Sequence, residues 1–277
     1  KVVIDSDGDL GIGGAPGNIR LKVSNTENKI TQFIHTSNGQ YSDNILEMET
    51  VRSQSDVFNH ILIRTNNGGD AEFKVRGDGQ VSADGSFTGG GADYAEYFEW
   101  ADGNGSNEDR RGYSVVLDGN KVRKATSDDA AASIIGIISA HPAVVGDSRW
   151  NKWHGKHEID DYGTVVRETC SFVNWTERPA DSNGVAGEGR PINHTYYTDR
   201  VPDGVTVPDD AVVTSNQTRP KESSSYDASV TYVPREERKE WDAVGMMGKL
   251  RMKKGQPGDR WLKLRQISDS VEEWLVR

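Results

Sequence analysis

The 277-residue chain has one cysteine, Cys170, so it can build neither an intrachain disulfide framework nor a cysteine-rich metal site. No apolar run approaches 18 residues, which excludes a membrane-spanning helix, and no charged-then-apolar opening marks a signal peptide. Basic residues are scarce relative to acidic ones, 33 against 43, for a net charge of −10. Binding to phosphate backbones needs clustered Lys and Arg, so neither nucleic acid nor a membrane is an expected partner. The chain opens on Lys1 and lacks an initiator methionine, which predicts the C-terminal piece of something longer. What remains, 34% hydrophobic residues at a mean hydropathy of −0.71, is enough for one large domain or two ordinary ones.

The scarcities are uneven along the chain. Residues 1–92 hold 14 of the 30 glycines, one of the nine prolines and none of the seven tryptophans. Charge does not mark a boundary, because both parts are acidic: 8 basic and 12 acidic residues up to position 92, 25 and 31 after it. Tryptophan does, since Trp100, Trp150, Trp153, Trp175, Trp241, Trp261 and Trp274 all follow Gly91. The join is placed in the run Gly89-Gly90-Gly91, giving regions 1–90 and 91–277.

Apolar residues of the first region alternate in short runs (Ile19, Leu21, Val23; Ile61, Ile63; Phe73, Val75), the period of strands. The pairs Asp7-Gly8, Asn38-Gly39, Asn67-Gly68, Asp78-Gly79 and Asp84-Gly85 favour the tight turns between antiparallel strands. An imperfect repeat relates Ile4-Asp5-Ser6-Asp7-Gly8-Asp9-Leu10 to Val75-Arg76-Gly77-Asp78-Gly79-Gln80-Val81, though two copies do not make a solenoid. The only aromatics here are Phe33, Tyr41, Phe58, Phe73 and Phe87. A segment so poor in large apolar residues is expected to bury what it has against identical neighbours, as a slender oligomeric β-shaft. The plainer alternative is a small sandwich standing alone.

After the join, GYSVVLDGNKVRKAT predicts a hairpin with strands at Ser114–Leu117 and Lys121–Lys124, and SIIGIIS (Ser133–Ser139) a buried strand. Residues 180–230, rich in Pro, Asp, Ser and Gly, predict long loops. VGMMGKLRM, RWLKLRQIS and SVEEWLVR return to strand-like alternation, so helix content should be low.

Most candidate chemistry dissolves on inspection. Gly11-Ile12-Gly13-Gly14 with Gly17 lacks dinucleotide-loop spacing, is interrupted by Pro16 and continues as strand. Gly245-Met246-Met247-Gly248 lacks the phosphate-loop Ser or Thr and reads as a strand passing close to another backbone. In WHGKHE, His154, His157 and Glu158 suit a surface loop better than a metal site, because Gly155 discourages the helix that would align them. Cys170, in ETCSFVNW, reads as a buried inert thiol. No metal and no cofactor is therefore expected. GGGADYAEYFEWADGN remains. With Asp93 and Glu96 three apart, the simplest account is a helix start, Asp93 as N-cap and Glu96 completing a capping box. The chemical account is a carboxylate pair on one turn that divides acid and base roles.

The stretches ADYAEYFEWADGN, NEDRRGYSVVLDGNKVRKAT, IIGIISAHPAVVGDS, YVPREERKEWDAVGMMGKLRM and WLKLRQISDSVEEWLVR, in this order over about residues 91–277, resemble the C-terminal intramolecular chaperone autoprocessing domain of phage tail spikes and neck appendages, a glutamic-type family that trims itself. DGDLGIGGAPGNIRLKVSN resembles, more weakly, the strand-and-turn units that precede such domains. The resemblance implies a mainly β protein: a slender trimeric shaft (1–90), then a larger mostly-β chaperone domain (91–277) with little helix. The chaperone would bring three chains together as a homotrimer, let the shaft fold, and cut itself away. By position the acting carboxylates are Asp93 and Glu96 and the scissile bond is Ala92-Asp93. Glu96 would activate water, while Asp93 would protonate the leaving amine or hold the other carboxylate's proton. Some members carry serine before the aspartate; with Ala92 no hydroxyl nucleophile is available. The implied setting is a virion tail assembled in the host cytoplasm, with a host surface receptor or glycan as a partner reached through the fibre. The alternative is a fibre tip that keeps this domain permanently.

Overall fold

The computed structural model describes residues 2–4, 10–12, 21–23, 30, 32, 34–37, 39–50, 56–150, 155–180, 185–187 and 192–277. The chain forms two compact units, 1–83 and 84–277. Among the described residues strands make up 44% and helix 4%, the latter as three single 3-10 turns. The expectation of a mainly β protein with little helix holds.

In the first unit, β1 (Val2–Ile4) and β2 (Leu10–Ile12) pair antiparallel and β3 (Leu21–Val23) adds in parallel to β2. A second sheet joins β4 (Asn59–Thr65), β5 (Asp70–Arg76) and β6 (Val81–Ala83), all antiparallel. The sequence repeat has a structural counterpart: Ile4 pairs with Leu10 and Val75 with Val81, so in each copy the first and last residues face each other across antiparallel strands. Asn67 and Gly68 turn β4 into β5 with positive φ, as Asn-Gly pairs do. Asp7-Gly8, Asn38, Gly13, Gly14, Gly17 and Ile19 lie outside the described residues. Among the described residues no apolar side chain before Ala95 is buried.

The second unit centres on an eight-stranded sheet in the order β11-β7-β15-β10-β8-β9, with β17 pairing both β15 and β16. Its strands are β7 (Asp93–Glu99), β8 (Ser114–Asp118), β9 (Lys121–Lys124), β10 (Ile134–Ile138), β11 (Val144–Gly146), β15 (Trp241–Lys253), β16 (Leu262–Ser268) and β17 (Val271–Val276). The predicted hairpin is β8–β9, and the predicted buried strand is β10. Successive residues feed opposite cores. Val116, Ile137, Leu250 and Met252 join Trp261 and Val276 on one side, whereas Val115, Ile138 and Val244 join Trp100 and Val122 on the other. A strand buried on both faces has no polar positions to alternate with, which is why SIIGIIS reads as a continuous apolar run.

A separate sheet, β13-β12-β14, is built from β12 (Arg167–Glu177), β13 (Ile192–Tyr197) and β14 (Val212–Pro220). Two of these strands lie in the stretch expected to be long loops. They were obscured because their outward faces are polar or exposed, Val212 and Val213 included. Cys170 is buried in β12, where desolvation raises its thiol pKa, as expected of an inert cysteine. Arg219 braces this sheet: its guanidinium bonds Asp199 and Glu168 and lies over the Tyr197 ring. Arg110 does the same beside β7, gripping Asp102 with both nitrogens at 2.7 and 2.8 Å while stacked on Trp100.

Candidate functional site

The ADYAEYFE segment is a strand and not a helix start, so neither a capping box nor a shared helical turn exists. The reason is tertiary. β7 is zipped between β15 and the parallel strand β11, and ladder pairing on both edges overrides a local capping pattern that is worth about 1 kcal/mol. Strand alternation then sends Asp93 and Glu96 to opposite faces of the sheet. Asp93 is on the face of Ala95 and Gly245, close to Leu250, and is itself only 6% exposed. Glu96 is half-buried on the other face, where it accepts a hydrogen bond from the Tyr94 hydroxyl and lies across from Val244.

Ala92 and Asp93 are held on both sides by main chain. The Lys249 N–H donates to the Ala92 carbonyl at 3.2 Å, and the Ala143 N–H donates to the Asp93 carbonyl at 2.8 Å. Glycine makes this clamp possible. A Cβ on Gly248, whose φ is +116°, would clash with the Ala92 oxygen and sit 2.9 Å from Asp93 Cα. A Cβ on Gly245 would come within 2.7 Å of Asp93 Oδ2. Between them β15 carries a bulge, where its register against β7 shifts from Gly245 to Met247. The GMMG segment is thus a strand in close contact with another backbone, as its glycines indicate. Gly91 serves the same end, because a side chain there would strike the main chain of His141, Pro142 and Ala143.

A cleft of about 610 Å³ opens beside the clamped peptide, lined by Ala92, Asp93, Ser139, His141, Leu250 and Met252 among others. Asp93 Oδ2 is buried with no hydrogen-bond partner among the described residues. Desolvation raises the pKa of the Asp93 carboxyl; the Ser139 hydroxyl and His141 imidazole act in the opposite sense. A raised pKa favours the protonated form, which is the form able to donate a proton, and this carboxyl is adjacent to its own peptide nitrogen. Ser139 and His141 were not singled out by the sequence. They directly follow the apolar run of β10, yet no spacing rule shows that this run ends beside residue 93.

Among the described residues the other motifs assemble no site. His157 forms an isolated backbone β-bridge with Glu222, just after β14, while His154 lies outside the described residues. Among the described residues no cluster of His, Cys, Asp and Glu has metal-binding geometry, and no helix is long and apolar enough to cross a membrane. Gly11 and Ile12 sit in β2.

Residues 31–274 match the Peptidase_G2 family, described as the IMC autoproteolytic cleavage domain. The chain belongs to this family. Its relatives include the pre-neck appendage protein of Bacillus phage B103 (28% identical) and the preneck appendage protein of Bacillus phage PZA (30% identical), each over 176 residues, 62% of this chain. The chain spans only 15% of the length of those relatives. Among solved structures, that of the pre-mature bacteriophage phi29 gene product 12 matches with a TM-score of 0.50 at 20% identity, over 75% of this chain and 24% of that one; it supports the fold.

Proposed function

We propose that this chain is the C-terminal intramolecular chaperone of a phage neck appendage, tail fibre or spike, that it assembles as a homotrimer at the virion tail or neck, and that it releases itself once by cutting Ala92-Asp93. The observation that carries the reading is the buried Asp93 carboxyl, whose Oδ2 has no hydrogen-bond partner among the described residues, beside a peptide fixed on both sides. In the proposed step, water adds to the Ala92 carbonyl carbon and gives up a proton to a carboxylate. The C–N bond then breaks, and the Asp93 carboxyl protonates the departing Asp93 nitrogen. The products are a carboxyl at Ala92 and an amine at Asp93.

Glu96 is the proposed base, but on its own chain it faces away from this peptide. The role therefore falls to the Glu96 of a neighbouring copy, which makes trimer assembly a condition for cutting. That condition has a physical advantage: an unassembled chain cannot sever its chaperone before the chaperone has acted. Folding of residues 1–90 in the assembled state supplies the apolar partners that this stretch lacks within one chain. Denaturing electrophoresis with N-terminal sequencing tests the proposal. Fragments 1–92 and 93–277, the second beginning at Asp93, are expected from assembled protein and not from chains held in denaturant. A trimer that stays intact indefinitely would instead make this a permanently attached fibre tip.

A further inference from the structure

We infer that the backbone N–H of Lys249, presented by Gly248, is the oxyanion donor for cleavage of Ala92-Asp93; the inference rests on the reading of that bond as scissile. When water adds to the Ala92 carbonyl carbon, the carbonyl π pair moves onto its oxygen, and the full negative charge needs a positioned donor. The Lys249 N–H is 3.2 Å from that oxygen in the intact chain. A main-chain donor costs no side-chain reorganisation when the charge appears, and the bond can shorten as the oxygen becomes anionic.

The local build of β15 serves this one contact. Regular pairing of β15 with β7 is interrupted at Met246, and bulges of this kind re-aim backbone next to active sites. Directly after it, Gly248 adopts a φ of +116°, a region that residues with a Cβ rarely enter. Any side chain there would occupy the space of the Ala92 oxygen itself. The bond continues the antiparallel pairing of Gly248 with Asp93, and the missing Cβ at Gly248 is what lets the two backbones approach this closely. The cleft leaves room beside the peptide for the attacking water, while the Ala143 N–H holds the next carbonyl still.

Gly248→Ala is the obvious variant, but it would also disturb folding, so the decisive experiment is a single-atom change. Lys249 is replaced by its α-hydroxy analogue through nonsense suppression in cell-free translation of the full chain, converting the 248–249 amide to an ester. The N–H is lost; side chain and shape remain. Appearance of the 93–277 fragment is followed by pulse-chase, with trimer content and thermal midpoint measured on the same samples. The inference expects cleavage slowed by about 100-fold or more in a fully assembled trimer. An ester variant that cuts within about twofold of the parent overturns it while leaving Ala92-Asp93 as the scissile bond. A parent that assembles and never cuts overturns both.

Discussion

Apolar side chains before and after residue 84 meet opposite fates. In the first unit Val2, Ile4, Leu21, Ile63 and Val81 are each between 47% and 70% exposed, although they stand in strands with the alternation of half-buried sheets. In the second, Val115, Val116, Ile137, Ile138 and Val244 are at most 2% exposed, because one broad sheet is covered on both faces. The same residue types at the same period therefore report different things. Alternation says that one face needs a cover; it does not say that the chain itself provides one. Among its described residues the first unit has the pattern without the cover, and that deficit is the physical content of the proposed dependence on neighbouring copies.

The sharpest way to break this contrast is to separate the halves. Residues 93–277 made alone should fold, with strand-type circular dichroism and a cooperative melt. Residues 1–92 made alone should not form their native oligomer. A well-folded, soluble first piece by size exclusion would remove the need for a chaperone.

Next in size are changes within the second unit. The tryptophans that follow the join have different surroundings: Trp100 and Trp261 are buried, but Trp150 is 67% exposed and Trp153 lies outside the described residues. Trp100→Ala should cost about 3–5 kcal/mol in denaturant unfolding, since it empties one core and removes the 2.7 Å bond to Asp242 and the platform under Arg110. Trp150→Ala should stay within about 0.5 kcal/mol. Similar losses at both would mean that Trp150 is covered in the assembly.

The legible parts of this protein are those whose signal is local. Asp118-Gly119-Asn120 announced the β8–β9 hairpin, SIIGIIS announced β10, and the glycines of GMMG announced a close backbone approach. Asp93 and Glu96 were singled out by spacing and given their roles by resemblance, and spacing misjudged their arrangement. Three residues apart is a capping pattern if the segment is helical and opposite faces if it is a strand, and only pairing with β15, about 150 residues onward, decides which. Ser139, His141 and the Lys249 amide were hidden for the same reason. β13 and β14 were missed because their sequence is as polar as a loop.

Smaller effects follow at exposed positions of the first unit. Ile63→Ala should change little if the side chain is solvated, less than about 0.5 kcal/mol. If a neighbouring copy covers it, the trimer's midpoint should fall by the equivalent of about 2 kcal/mol or more. The second outcome is expected, and light scattering against concentration separates the two.

The Asp93 carboxyl adds a pH dependence with a definite sign. Its folded pKa is raised above the ordinary carboxylate value by desolvation, so between those two values the folded chain holds more protons than the unfolded one. Stability should therefore fall as pH rises through that window and level off above it. In a Glu96→Gln background that prevents cutting, adding Asp93→Asn should remove this decline and raise stability at neutral pH. The cleavage rate of the parent should also fall as the proton donor ionises. A rate that climbs with pH through the same window would take the acid role from Asp93.

Glu96→Gln is expected to change stability only modestly, and it carries the most information about chemistry. Had Glu96 completed a helix cap, the amide would have retained most of its hydrogen bonding. In the strand, Glu96 accepts from the Tyr94 hydroxyl, and the glutamine oxygen can do the same, so the loss should be roughly 0.5–1.5 kcal/mol at most. Proton acceptance is what the substitution removes. Trimers of Glu96→Gln should assemble and remain intact. Mixed trimers should locate the base: chains carrying Glu96→Gln, co-assembled with chains carrying Asp93→Asn, should yield cut chains only of the Glu96→Gln type, because those retain the acid and borrow the base from a neighbour. Cutting absent from such mixtures, with the parent active, would return Glu96 to its own chain's peptide and require β7 to leave the sheet before the bond is broken.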